Sequence, residues 1–220
     1  MTTTRRIQIV IGLLLALAVP FCHLSDLGRR LLGQRNPVGG EFLWWIFLAA
    51  VLFYVAAVER TSLSSIGFRK PGWAEIVLGV GAAVVMFVGT GAIFQLVLPA
   101  LHLSVAEKIT SLATAPLWVR LLTVTRAAVC EEVAFRGYGF ERLAELSGSP
   151  LLAAVVTFAL FTIAHLAGGG WGQVIIAAYG GLILTLLYLW RRNLWATIIA
   201  HWLTDASAFI LLPVLLAGRH

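Results

Sequence analysis

Apolar runs about as long as a bilayer is thick recur along this chain and leave it few ways to fold. They cover about residues 7–23, 42–58, 74–98, 116–143, 150–167, 172–190 and 194–217, with short polar breaks between them. A transmembrane helix needs about 20 consecutive apolar residues. Lipid offers the backbone no hydrogen-bond partner, so each run must be helical. With 60% hydrophobic and 12% charged residues and a mean hydropathy of +0.93, the 220 residues cannot wet the surface of a soluble domain. The expected fold class is all-α: a polytopic membrane helical bundle of about seven transmembrane helices. We read residues 1–220 as a single membrane domain, integral and multi-pass in the cell membrane, with the lipid bilayer as its first partner. No internal repeat or low-complexity tract divides it.

The net charge of +6 and a pI near 10 invite a nucleic-acid reading. The basic residues sit between apolar runs, where they favour cytoplasmic loops and anionic headgroups, so no nucleic-acid partner is expected. With seven spans and the N-terminus inside, Arg5, Arg6, Arg60, Arg69, Lys70, Arg191 and Arg192 share the cytoplasmic side, while Arg29, Arg30 and Arg35 oppose that orientation. The first run lacks a small-x-small cleavage site and is read as a retained helix rather than a signal peptide. Cys22 and Cys130 lie in apolar segments, form no CxxC pair, and are expected to be small buried residues. Trp44 and Trp45 are expected at a membrane interface.

The fourth run contains CEEVAFRGYGF, residues 130–140, with Glu131, Glu132 and Arg136 inside an apolar helix. A charge at the centre of a spanning helix costs on the order of 2.5–3.5 kcal/mol, so three within six residues need partners or a task. Glu132 and Arg136 stand at i and i+4 and can pair on one face. Glu131 points about 100° away and needs a partner from another segment. Arg126 is read as an interfacial or structural charge. Of five histidines, His23 and His102 fall in loops and His220 is terminal. His165 ends FTIAH after Phe161, and His201 opens HWLTD before Asp205, again at i and i+4. The simplest way to satisfy these groups is convergence on one inward polar pocket. A carboxylate among histidines can hold and deprotonate water. His165, His201 and Asp205 can bind a divalent metal or stabilise an oxyanion. The same parts also suit a proton relay or an ion site.

These residues carry a resemblance. EExxxR, FxxxH and HxxxD, here Glu131-Glu132-xxx-Arg136, Phe161-xxx-His165 and His201-xxx-Asp205, resemble in order and spacing the signature of the CAAX-protease and bacteriocin-processing (CPBP or Abi) intramembrane endopeptidases. The resemblance covers roughly residues 116–210, the expected catalytic core. SLSSIGFRKP is similar to the segment that often precedes that core. The resemblance implies a hydrolase, a CAAX-protease-like intramembrane metalloendopeptidase acting on membrane-associated proteins or peptides. Glu131 is then the general base. His165 orients the water or binds metal, and His201 and Asp205 stabilise the oxyanion or complete the site. Glu132, Arg136 and Phe161 support them. The implied cofactor is a divalent metal, zinc by expectation, held by His165, His201 and Asp205. Asp205 stands where one branch has Asn, which favours a metal ligand over an oxyanion donor. No HExxH, GxSxG or GxGD occurs. The alternatives are a non-catalytic immunity or scaffold protein of the same fold, and a proton- or ion-coupled transporter.

One mismatch accompanies this reading. His165 lies about 15 residues into its helix, roughly 22 Å, and His201 about 7 into a parallel one, roughly 10 Å. Misplaced helix boundaries are the expected explanation.

Overall fold

The computed structural model describes residues 1–33, 38–106, 111–211 and 213. Arg35, His220 and residues 212 and 214–217 of the last apolar run lie outside the described residues.

Among the described residues, eight helices follow in chain order. Helix α1 is Thr3–Ala18, prolonged by a 3-10 turn at Val19–Cys22, and α2 is Leu24–Leu32. Helix α3, Gly39–Phe53, passes into a π turn at Tyr54–Val58. Helix α4, Trp73–Ala92, continues through a π turn to Ala100. Helix α5 starts as Leu117–Glu131, becomes a π-helix over Glu132–Gly139 and ends as Phe140–Ser147. Helices α6, α7 and α8 are Pro150–Ala164, Leu166–Arg191 and Leu194–Ala206, the last extended by a π turn at Ser207–Leu211. No strand occurs among the described residues. The protein is an all-α polytopic bundle, and the seven apolar runs match α1 and α3–α8 within a few residues.

Among the described residues, five segments are long and apolar enough to cross a membrane: Thr3–Cys22, Gly39–Val58, Trp73–Ala100, Leu166–Arg191 and Leu194–Leu211. The other two runs depart from that standard, and both carry motif residues. Residues 117–147 are interrupted by Arg120, Arg126, Glu131, Glu132, Arg136, Glu141, Arg142 and Glu145. Helix α6 has only 15 residues.

Local chemistry sets the ends. Ser149 caps α6 by accepting from the Leu152 amide at 3.2 Å, with Pro150 in the first turn. Asn193 caps α8 by accepting from the Trp195 amide at 3.2 Å. Helix α6 stops at Ala164, before the Gly168–Gly170 run. The second break is at Gly170, whose φ of 72° and ψ of −172° suit a residue without Cβ.

The π segment of α5 is the axis of the bundle. Every residue from Glu132 to Gly139 is buried, and α1, α3, α6 and α8 pack around it. Val133, Ala134, Phe135 and Tyr138 join Ala16, Val51, Val55, Phe161 and Tyr188 in one core. Helix α4 lies against α7 and α8, joined by Met86, Leu184, Ala196 and Ala200.

At the end of the bundle holding the α1 N-terminus, charges are paired. Arg5 binds Glu145 at 2.7 and 2.8 Å and approaches Glu59 at 3.4 Å. Arg142 and Tyr138 both donate to Glu59, at 2.8 and 2.7 Å. Arg191 meets Glu75 at 2.6 Å. At the other end α2 presents Leu27, Leu31 and Leu32 outward and is tied to α3 by the Trp44 indole, which donates to Ser25 Oγ at 3.0 Å. Trp44 therefore faces the protein rather than a lipid interface. Cys130 is buried as expected, whereas Cys22 is exposed at the end of α1.

Candidate active site

The site forms where α5 changes from α to π winding. Glu131 is the last α-helical residue and Glu132 the first of the π segment, so the adjacent carboxylates diverge. Glu132 turns inward and Glu131 turns to a cavity of about 710 Å³. Its lining includes Glu131, Phe161, His165, His201 and Asp205, the residues singled out in the sequence, together with Arg126 and Glu41.

Glu131 has two close partners. Its Oε1 accepts from Arg126 Nη1 at 3.2 Å, and its Oε2 stands 3.8 Å from His165 Nε2. His165 is the expected neighbour from another segment; Arg126 adds one from five residues back on the same helix, a guanidinium being long enough to bridge that offset. Arg126 is not interfacial. It is buried, its Nε donates to Glu41 Oε2 at 2.7 Å, and it stacks 5.0 Å from the Trp44 ring centre. Thr123 also donates to Glu41, at 3.2 Å. Glu41, in the first turn of α3, was missed in the sequence. It sits in a Gly-Gly-Glu helix start 85 residues from Arg126, and only its charge at the edge of an apolar run could have marked it.

His165 caps the end of α6. Its Nδ1 lies 2.7 Å from the Phe161 carbonyl. A carbonyl only accepts, so the proton is on Nδ1 and the lone pair on Nε2 faces Glu131. The ring lies against Phe161, centres 4.7 Å apart.

His201 Nδ1 donates to Glu132 Oε1 at 3.0 Å, and its Nε2 faces Asp205 Oδ2 at 3.6 Å. Glu132 Oε1 also receives Arg136 Nη1 at 2.9 Å, the expected i,i+4 pair. Arg136 Nη2 donates to the Gly181 carbonyl at 3.2 Å, and its guanidinium lies 3.9 Å from the centre of Phe161. Phe161 thus touches His165, Arg136 and Phe135 and stands 6.4 Å from the His201 ring.

The depth mismatch is not resolved by boundaries: α6 starts at Pro150 and α8 at Leu194, as read. His165 caps α6 and lies against Phe161, while Asp205 stands one turn, about 6 Å, beyond His201 on α8.

Among the described residues no group of three His, Cys, Asp or Glu is arranged to hold a metal ion. His201 Nδ1 is bonded to Glu132, which leaves Nε2 as the ring nitrogen open to a ligand.

Residues 113–207 match the family model described as Type II CAAX prenyl endopeptidase Rce1-like. That segment is Rce1-like. No curated protein matches the chain, and no solved structure does. The Rce1-like segment runs from just before α5 to the end of α8 and takes in all three motifs, in agreement with the resemblance read from them. It supports a CAAX-type intramembrane protease fold, hence a hydrolase with a peptide or protein substrate. With five spanning segments, the protein is an integral membrane protein. Glu41 lies outside the Rce1-like segment, so this part of the charge network belongs to the flanking helices.

Proposed function

We propose that this protein is an intramembrane endopeptidase of the cell membrane, cutting membrane-associated proteins or peptides with a water activated by Glu131. The observation that carries the reading is the pair Glu131 Oε2 and His165 Nε2, two acceptors 3.8 Å apart on the cavity wall. A water between two acceptors donates one O–H to each, at about 2.8 Å. Its lone pair is then free to attack a carbonyl carbon. As the O–C bond forms, Glu131 takes the water proton. Arg126 opposes the other Glu131 oxygen and holds the carboxylate in place. A proton on His201 Nε2, which faces Asp205 Oδ2 at 3.6 Å, supplies the donor for the oxyanion. Collapse breaks the C–N bond, and the leaving nitrogen takes the proton from Glu131. The products are a carboxylic acid and an amine.

In this mechanism Glu132, Arg136 and Phe161 are positioning residues, acting through His201 and His165. Divalent-metal dependence, with His165, His201 and Asp205 as ligands and zinc as the first ion to test, is a separate proposal decided by metal analysis and by activity after chelation.

The test uses full-length protein in liposomes with two substrate sets, S-farnesylated CAAX peptides and palmitoylated peptides of leader-like sequence. Glu131→Gln is expected to slow cleavage about 10²–10⁴-fold while the unfolding temperature stays near that of the wild type. Cleavage by Glu131→Gln at the wild-type rate would end the proposal.

A further inference from the structure

Gly180 and Gly181 are neighbours on α7, both on the apolar wall of the cavity, and their surroundings differ. A Cβ added to Gly181 would meet the Phe161 ring at 2.9 Å and stand 3.4 Å from Arg136 Nη2. That position is packed shut against the ring shared by His165 and Arg136. A Cβ added to Gly180 would meet one atom only, the terminal methyl of Met86, at 3.2 Å. Gly180 is nevertheless buried. A buried cavity-lining position whose one near neighbour is the flexible tip of Met86 borders the hollow, and a side chain there would fill it once that tip gives way.

Met86 closes that hollow from α4 and is only 4% exposed. Its unbranched thioether adapts to what it touches. Ile176, Ala177 and Leu184 continue the same wall. The same cavity is also lined by Glu131, His165, His201 and Asp205. It therefore offers polar groups suited to the amide and apolar ones around a recess, and Gly181 links them through Phe161. A recess left unfilled forfeits dispersion contacts along its lining, which favours an occupant of matching size.

We propose that Gly180 and Met86 are specificity-determining residues: together they set the size of the apolar side chain that the substrate places beside the cleaved bond. This inference rests on the endopeptidase reading. Gly180 sets the depth of the recess, and Met86 is its adjustable floor.

The experiment compares full-length wild type, Gly180→Val, Met86→Ala and the double variant in liposomes. The probes are S-farnesylated and palmitoylated peptide sets varied through Gly, Ala, Val, Leu, Phe and Trp on each side of the scissile bond. Relative kcat/KM values come from competition, read by mass spectrometry. Wild type is expected to prefer Leu or Phe over Ala by about 10–200-fold, the range one to a few methylenes command in an apolar pocket. Gly180→Val is expected to lower cleavage of the Leu and Phe peptides relative to Ala by at least about tenfold, and Met86→Ala to raise Phe and Trp. The double variant, which returns the volume, is expected to restore Leu, a pattern that general damage to the fold does not produce. An unchanged order of preference in both single variants that still cleave overturns this inference and leaves the endopeptidase reading standing. Failure of the wild type to cleave either set overturns both.

Discussion

Replacing Glu132 by Gln tests the buried charge network in a way that separates stability from catalysis. Glu132 is 0% exposed and Arg136 is 2% exposed, and Glu132 Oε1 receives both Arg136 at 2.9 Å and His201 at 3.0 Å. Glutamine keeps the shape and removes the charge, leaving the guanidinium in the core with the Gly181 carbonyl and the face of Phe161 as neighbours. Removing one partner of a buried ion pair costs about 3–5 kcal/mol. At roughly 2–4 °C per kcal/mol for a chain of this size, the unfolding temperature should fall by roughly 6–20 °C. Removing both charges, as Glu132→Gln with Arg136→Met, eliminates the unpaired cation. What remains lost is the bond to Gly181, about 1 kcal/mol, and the contact with Phe161, about 1–2 kcal/mol. The double variant should therefore melt above the single one, while cleavage stays depressed in both because His201 Nδ1 no longer donates to a carboxylate. Unfolding followed in detergent by scanning fluorimetry, alongside cleavage in liposomes, reads the two effects separately. A double variant no more stable than Glu132→Gln, or a Glu132→Gln protein as stable as wild type, refutes the reasoning.

Other substitutions have distinct signatures. Arg126→Leu strands the buried Glu41 carboxylate and should destabilise by about 3–5 kcal/mol, seen as a lower unfolding temperature, with Glu41→Gln added to the same chain recovering part of it. His165→Phe should preserve the stacking on Phe161 yet reduce kcat about 10²–10⁴-fold by removing one of the two acceptors that hold the water, measured by initial rates. Asp205→Asn should keep cleavage within about tenfold of wild type, since the His201 Nε2 proton remains as the oxyanion donor and an amide N–H can add a second, and a full loss in the rate assay would assign the carboxylate a task only an acid can perform.

The bundle was legible because apolar run length is a direct physical demand of the bilayer, and Pro150, Asn193 and the glycines after His165 punctuate it where helices end. The motif residues were legible because charges and imidazoles inside such runs need company. Three features were hidden for identifiable reasons. The change to π winding at Glu132 alters which residues share a face, and side-chain spacing at α-helical periodicity does not reveal it. Arg126 and Glu131 are five apart, outside the i,i+3 and i,i+4 rule, and meet because both side chains are long. Glu41 reaches the site from a helix distant in sequence, so only the packing of α3 against α5 brings it there. The same packing turns Trp44 from an expected interface anchor into a wall for Arg126.

The brevity of α6 has a consequence for the surrounding lipid. Its 15 residues span about 22 Å, several ångströms less than a hydrocarbon layer of about 30 Å. Hydrophobic mismatch of this kind draws headgroups and their hydration inward beside the short helix. His165, placed at that helix end, would be met by solvent without any channel through the protein. Acyl-chain length then becomes a control on turnover: liposomes of short-chain lipid should favour the reaction, and thick, sterol-rich ones should suppress it.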